Sequence, residues 1–383
     1  MIIGIEAQRI FRKKKFGIDR VGIALIKSLQ SIDKENQYFV FVNSGPDFIA
    51  ISETSNFKIV ILPSISYPIW EQILLPKAVK KYKCDILHCT SGTAPFFCDI
   101  PILLTLHDII FLERNMMSIL FRFGNYYNKL GNIYRKIITH LIINKCSLIT
   151  TVSNFEKKQI VQFFPKINPL KIKVIHNGVN HFFSQKDDEE SFNRTKKKYR
   201  LPDLFFLFTG GNDYRKNIKN TLKAFALFME KNNQNIKIVL LHHKMSEIKY
   251  LLKKTNNDKL IENIVLIDYV SDLEMRILYK LSIAFLYTSK REGFGIPILE
   301  AMMCGTPVIT SNSSSMPEIS ENSTHLINPN DFEDISNAMC SIYNNVTYRE
   351  SLIKKGIKRS FYFSWEKMAQ QFLNTYQNIW KSV

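Results

Sequence analysis

The sequence is short of several features that would each have settled its class. No stretch reaches the roughly 18 uncharged apolar residues that a membrane-spanning helix requires, so no span is expected. Arg9 comes after the apolar run of residues 1–7, the reverse of the basic-then-apolar order of a secretory leader. The six cysteines, Cys84, Cys89, Cys98, Cys146, Cys304 and Cys340, never form Cys-x-x-Cys. They read as reduced packing residues rather than a disulfide framework or a thiolate metal site. A cytoplasmic protein is therefore expected, and no nucleic-acid recognition motif stands out.

What is present is basic charge, unevenly spread. The net charge is +18 over 383 residues, a length that fits two domains better than one core. Residues 1–180 hold 24 Lys and Arg against 12 Asp and Glu, while residues 181–383 hold 28 against 22. Residues 114–155 carry Arg114, Arg122, Lys129, Arg135, Lys136 and Lys145 with no acidic residue, interleaved with Phe, Tyr, Ile and Leu. Such a segment either lies on an anionic membrane surface or forms a half-buried helix with a solvated basic face, and pattern alone does not choose.

Apolar runs at residues 1–7, 38–42, 57–62, 85–88, 102–106 and 147–152 alternate with helical patterns at 21–29, 70–82 and 154–163. That alternation predicts an α/β domain with a parallel sheet, whose ligands bind beyond the carboxyl ends of the strands. Gly17 lies between the first strand and its helix, and His107 and Asp108 follow the strand at 102–106. A charged stretch at 185–200 places a domain boundary near residue 180, giving domains 1–180 and 181–363. A final helix at 364–383 has Ser364 as its cap and Trp365, Met368, Phe372, Tyr376, Ile379 and Trp380 as its apolar stripe.

The second domain opens with a strand at 203–209, then Gly210, Gly211 and the pair Arg215-Lys216 before a helical pattern. A strand, glycines, a basic pair and a helix start compose a phosphate site, with Lys as a point charge and Arg as a fork. The most informative stretch is residues 292–306, Glu-Gly-Phe-Gly-Ile-Pro-Ile-Leu-Glu-Ala-Met-Met-Cys-Gly-Thr. Gly293 and Gly295 flank Phe294 at a turn, so backbone N–H groups there can face an anion at a helix N-terminus beginning near Ile296. Glu292 and Glu300 bracket that turn. A glycosidase pair needs two carboxyls about 5 to 9.5 Å apart across one bond, which a loop and a helical turn between them do not obviously provide. Two carboxylates accepting from separate hydroxyls of a long phosphate-bearing ligand fit better.

The string from Arg291 to Ile309 closely resembles the retaining glycosyltransferases of family 4, glycosyl transferases group 1, with the GT-B fold. The resemblance runs from Gly17 to the last helix. It implies two Rossmann-like domains facing a cleft, with the last helix returning to the first domain. It further implies a nucleotide-diphosphate sugar as co-substrate and no separate cofactor. By resemblance Lys216 and Arg215 meet the donor diphosphate, Glu292 the sugar hydroxyls and Glu300 the ribose. Gly17, Gly293, Phe294, Gly295 and Ile296 line the donor site. Val270, within 268–273, sits at the base-binding turn, and His107 at the transferred sugar. Asp19 stands where the family often has a second glycine, His176 where it usually has proline, and Gly211 where many members have arginine. Asp-x-Asp does not occur, so the metal clamp of the other major glycosyltransferase fold is not expected.

The function expected on this basis is metal-independent, retaining transfer of a hexosyl group, mannosyl for preference, from a GDP- or UDP-sugar. The acceptor would be a lipid-linked glycan in O-antigen, lipopolysaccharide or capsule assembly, with peripheral contact at the inner membrane face and no nucleic acid partner. The alternatives are a catalytically inactive GT-B-like partner subunit and, third, a nucleic-acid binder.

Overall fold

The computed structural model describes residues 1–113, 126–211, 213–232 and 235–382. The chain divides into two compact units: Met1–Gly178 with Trp365–Val383, and Val179–Ser364. The first unit is thus built from two separate pieces of sequence.

Its sheet has seven parallel strands: β1 (Ile2–Glu6), β2 (Gln37–Val42), β3 (Phe57–Ile61), β4 (Ile86–Cys89), β5 (Ile102–Thr105), β6 (Leu148–Thr151) and β7 (Ile172–Val174). They lie in the order β3-β2-β1-β4-β5-β6-β7. The strands are apolar on both faces because helices cover both, and Ile86, Leu87, Leu103 and Leu104 are completely buried. Each such side chain contributes roughly 1.5 to 3 kcal/mol when fully removed from water. The strand order reverses between β1 and β4, which leaves a crevice at their carboxyl ends.

The first helix begins at Gly17 and runs to Ile32, four residues ahead of the periodic pattern that starts at Val21. The cause is Asp19: its carboxylate accepts the Phe16 N–H at 2.9 Å and closes the first turn. Gly17 is therefore a helical residue rather than part of an open loop, and its φ is not positive. The predicted helix at 70–82 also starts earlier, as Tyr67–Ile69, a π turn over Trp70–Leu74, and Leu75–Lys81. The π turn carries Trp70 and Glu71, both fully buried.

The closing helix, Trp365–Lys381, packs on Gly17–Ile32. Met368, Phe372, Tyr376 and Ile379 are buried as their spacing requires, whereas Trp380 is 52% exposed and does not belong to the stripe. Ala369 and Thr375 take its place, because a straight 3.6-residue helix keeps residues 368, 372, 375, 376 and 379 on one side and turns 380 away.

The second unit holds six parallel strands: β8 (Phe205–Thr209), β9 (Lys237–Leu241), β10 (Ile264–Ile267), β11 (Phe285–Tyr287), β12 (Val308–Ser311) and β13 (His325–Ile327). Their order is β10-β9-β8-β11-β12-β13. The continuous run Phe205, Phe206, Leu207 and Phe208 is buried throughout, which places β8 at the sheet centre. Here the order reverses between β8 and β11. The loops after Thr209 and Tyr287 therefore share one crevice.

Candidate active site

At the crevice of the second unit, the backbone after β8 turns through Gly210 and Gly211 into a single 3-10 turn, Tyr214–Lys216, capped by Asp213, and then into the helix Ile218–Lys231. Asn217 joins the two with φ +66°. Its amide donates to the carbonyls of Thr288 at 3.1 Å and Pro329 at 2.6 Å, and the Lys290 N–H donates to the Arg215 carbonyl at 2.7 Å. The two loops that sequence reading treats as separate motifs are thereby stitched into one surface.

Across that seam, Lys216 Nζ lies 2.7 Å from Glu292 Oε1. The ammonium also sits 5.4 Å over the Tyr287 ring. An ammonium carries three donors, so the Glu292 bond uses only part of its capacity. Burial, and then the Glu292 charge, push the Tyr287 phenol far above its ordinary range, so it stays protonated. Arg215 faces differently: its Nε and one terminal nitrogen grip Asp213 Oδ2 at 3.0 and 2.7 Å, and the other donates to the Arg291 carbonyl at 3.2 Å. That fork braces the loop.

The stretch 292–295 is held from below by two hydroxyls. Ser314 Oγ accepts the Glu292 N–H at 3.0 Å and donates to the Glu292 carbonyl at 2.6 Å; Ser315 Oγ reaches the carbonyls of Glu292 and Phe294 at 3.0 and 2.9 Å. Phe294 is buried, with its ring edge-on to Phe363 at 5.7 Å. Gly295 has φ +112°, a conformation side chains rarely take, and a Cβ there would stand 3.1 Å from Ile298 Cδ1. The helix Ile296–Met303 follows at once, with Pro297 in its first turn. One turn in, half-buried Glu300 accepts the Tyr279 hydroxyl at 3.3 Å, and burial followed by the Glu300 charge keeps that phenol protonated. The Lys216–Glu292 pair, the Gly293 to Ile296 turn and Glu300 are so arrayed along one edge of the unit.

Val270 is buried one residue before Ser271, which caps Asp272–Leu281, the helix that carries Tyr279. Around the Cβ position of Gly211 nothing lies within 4 Å, so the space an arginine would take there is open. Asn212 in the same loop lies outside the described residues. The serines at 313–315 were not singled out by sequence reading, and Asn217 only as the end of an Arg-Lys-Asn string. The signal available for them was the serine run just beyond β12.

His107 and Gly17 belong to the first unit. His107, two residues past the end of β5, bonds through Nε2 to the Thr90 carbonyl at 3.1 Å. Burial lowers its pKa against the opposing pull of Asp108, so the ring is neutral near pH 7. Behind it, fully buried His88 is clamped between the Tyr376 hydroxyl and Thr105 Oγ1, each at 2.7 Å, and burial lowers its pKa to about 3. The last helix thus reaches under the His107 loop. Gly17 sits at the helix start with open space where a side chain would project.

The same crevice holds charges that sequence spacing does not connect. Glu6, at the end of β1, accepts from the Gln8 and Thr90 N–H groups at 3.0 and 3.1 Å. Glu71 accepts from Tyr67 and Thr93 at 2.7 and 2.5 Å, from Gln72 at 3.1 Å and from Tyr134. Burial raises the Glu71 pKa despite those four donors. Of the basic segment at 114–155, Arg114 and Arg122 lie outside the described residues, as does the side chain of Lys129. Lys136 donates to the Leu112 carbonyl at 2.9 Å, and Lys145 stacks 3.3 Å over Phe96.

Residues 17–182 match the family described as Glycosyltransferase Family 4, and residues 188–359 match Glycosyl transferases group 1. The O-antigen chain mannosyltransferase B of Escherichia coli is 28% identical over 301 residues, spanning 78% of this chain and 76% of its own. The O-antigen chain mannosyltransferase RfbU of Salmonella typhimurium is 27% identical over 295 residues, 76% of this chain and 73% of its own. In fold, a glycosyltransferase crystal structure from Rickettsia africae superposes with a TM-score of 0.76 at 19% identity, covering 100% of this chain and 99% of that one. The chain belongs to the family 4, group 1 glycosyltransferases and has their GT-B fold.

Proposed function

We propose that this glycosyltransferase moves a mannosyl group from a GDP- or UDP-sugar to a hydroxyl of a lipid-linked glycan, with the α configuration retained, in O-antigen or related surface-polysaccharide assembly. The bond from the anomeric carbon to the diphosphate oxygen breaks as the bond to the acceptor oxygen forms. The physical task is to stabilise charge growing on the diphosphate and an oxocarbenium-like centre on the sugar. The observation that carries the reading is the Lys216–Glu292 pair at 2.7 Å, which couples a diphosphate-seeking cation to a hydroxyl-accepting carboxylate at the switch point of the sheet. Lys216 and the amides of Gly293 to Ile296 face the diphosphate, Glu300 takes the ribose, and the Val270 turn receives the base. Arg215 acts by holding its loop, and His107 lines the sugar. Neither a metal ion nor a further cofactor is required in this scheme. The mannosyl preference rests on the relatives, two of which are named O-antigen mannosyltransferases.

Contact with the inner face of the plasma membrane is part of the proposal. On the helix Tyr126–Ile142, Leu130, Ile137 and Leu141 are about half exposed in one row, and Ile65, Ile69 and Ile73 form a second exposed apolar row. No helix among the described residues is long and apolar enough to cross a membrane. Apolar rows beside excess basic charge suit adsorption to an anionic surface.

The deciding experiment is a thermal-shift screen against UDP, GDP, their sugar conjugates and dTDP-sugars, with Glu300→Ala and Lys216→Ala alongside. A ligand that binds only the folded state raises its melting temperature. One nucleotide stabilising the wild type and neither variant fixes the donor. No shift with any nucleotide, in a cooperatively melting protein, would move the reading to a non-catalytic partner subunit. Unchanged sedimentation with anionic liposomes at low and moderate salt would remove the membrane clause.

A further inference from the structure

We infer that Arg9 and Arg135, at the β1/β4 crevice of the first unit, hold an anionic group of the acceptor, a phosphate, diphosphate or carboxylate, on the side of the crevice where His107 lies. The inference rests on the reading that this unit takes the acceptor.

Three observations bring the two arginines together. Arg9 lies 5.3 Å over the Tyr67 ring, and Tyr67 packs edge-on against Tyr134, the neighbour of Arg135 in sequence, at 5.8 Å. Arg135 lies 4.3 Å over the Phe111 ring. One of its terminal nitrogens stands 3.9 Å from where a Cβ on Gly92 would be, and Gly92 has φ +81°. That glycine satisfies both the backbone turn after β4 and the close approach of the guanidinium.

The distribution of hydrogen bonds then identifies what is missing. Glu6 and Glu71 are fully buried carboxylates of this region, and both take their bonds from backbone amides, hydroxyls and an amide side chain. Neither is paired with an arginine among the described residues. Among the described residues, Nε of Arg9 and Nε of Arg135 are both shut away from solvent without an acceptor. Residues 114–155 contain no Asp or Glu, so no carboxylate from that segment can serve. A guanidinium offers five donors in a planar fork that matches the oxygens of phosphate or carboxylate. Leaving such donors both desolvated and unpaired is costly, and a bound anion removes that cost. In support, burial and next the Arg9 cation weaken the hold of Arg135 on its proton, against the opposing pull of Tyr67, Asp108 and Glu71. A carboxylate ligand would read as an acidic sugar, and a diphosphate as the link to a lipid carrier.

The test is calorimetric titration of the full chain with inorganic pyrophosphate, inorganic phosphate and glucuronate, using wild type, Arg9→Gln, Arg135→Gln and Lys216→Ala. At least one anion is expected to bind. Each arginine variant should weaken that binding at least about tenfold, the loss of one charge-assisted bond, while Lys216→Ala, which deletes the cation proposed for the donor diphosphate, removes any second binding event there and keeps the arginine-dependent one. Preference for pyrophosphate would identify a diphosphate-linked acceptor, and preference for glucuronate an acidic sugar. Each variant gives up a ring contact, with Tyr67 for Arg9 and Phe111 for Arg135, but no hydrogen bond among the described residues, so both should melt close to wild type, and Arg135→Lys should keep part of the affinity. A melting temperature far below that of wild type in both glutamine variants would show a scaffold role and overturn the inference. So would the absence of binding by all three probes, or binding abolished only by Lys216→Ala. Parallel titration with GDP- and UDP-mannose separates the two readings: arginine-dependent anion binding without any nucleotide-sugar binding would sink the transferase proposal alone.

Discussion

The two sheets reverse their strand order in the same way, yet the crevices so formed treat charge oppositely. In the second unit the cations are spoken for: Lys216 by Glu292, Arg215 by Asp213. In the first, the carboxylates Glu6 and Glu71 are satisfied by neutral donors and the arginines Arg9 and Arg135 hold buried Nε groups with no acceptor among the described residues. A paired cation keeps a loop in shape and can turn to a ligand without having been stranded. An unpaired one is a demand that only an occupant meets. The contrast separates a crevice built to be stable when empty from one biased toward being filled.

Breaking the paired side should give the largest effect. Lys216→Ala removes the cation proposed to neutralise the departing diphosphate, and turnover is expected to fall about 10²- to 10³-fold, the scale of losing one preorganised electrostatic stabiliser. The melting temperature should move little, since the pair is only partly buried and its net worth is correspondingly small. Steady-state rates with the donor found by the nucleotide screen, set beside a melt, read both numbers. A large loss of stability with unchanged turnover would reduce the pair to a structural clip.

The glycines sharpen the comparison next. Gly295→Ala must force φ +112° onto a side chain and press a methyl toward Ile298, and should cost about 1 to 3 kcal/mol by urea unfolding. Gly17→Ala meets nothing within 4 Å and sits in a helix, so stability should hold or rise by about 0.5 kcal/mol. Any drop in activity for that variant would then report a ligand at the helix start rather than a damaged fold.

Loosening the support of the 292–295 loop comes third. Ser314→Ala with Ser315→Ala deletes hydroxyls that serve the backbone of Glu292 and Phe294. A loss of about 1 to 2 kcal/mol is expected, with KM for the donor rising about tenfold. Turnover unaffected at saturating donor would confirm that the serines position the loop and do not take part in chemistry.

Acid sensitivity should separate the units last and least. His88 is neutral in the fold with its pKa lowered to about 3, against about 6.5 in the unfolded chain. The unfolded state therefore binds the extra proton as pH falls below about 6.5. Stability is full above that value and declines toward pH 3, by at most about 1.4 kcal/mol per pH unit from this group. His88→Gln should flatten that part of the profile, measured as the difference in urea midpoint between pH 7 and pH 5. An unchanged slope would mean that the ring takes up its proton without leaving the Tyr376 and Thr105 bonds.

How much of this was readable in the chain follows from how far apart the cooperating residues lie. Apolar runs such as 205–208 and 102–105 declared their strands because a buried parallel strand is apolar on both faces. The 292–306 string announced its turn because Gly295 and Pro297 are local devices. Asp19 moved a helix start that apolar periodicity placed at Val21, since a cap leaves no periodic trace. Trp380 was assigned to a stripe from which it turns away, because a Trp after an Ile says nothing of helical phase by itself. Resemblance assigned Lys216 and Glu292, 76 residues apart, to one donor, but the ion pair between them was not anticipated. The Arg9, Tyr67, Gly92 and Arg135 cluster was not seen at all, because four distant positions meet only once β1 and β4 are laid side by side.

The return of residues 365–381 to the first unit has a consequence for biosynthesis. As the chain leaves the ribosome, residues 179–364 form a continuous stretch that can complete its own sheet first. The first unit, although begun earlier, lacks the side chains of Phe372 and Tyr376 against His88 until the last helix emerges. Its maturation therefore waits for residues 365–381, and a nascent chain halted before residue 365 would expose that unfinished face to chaperones and proteases.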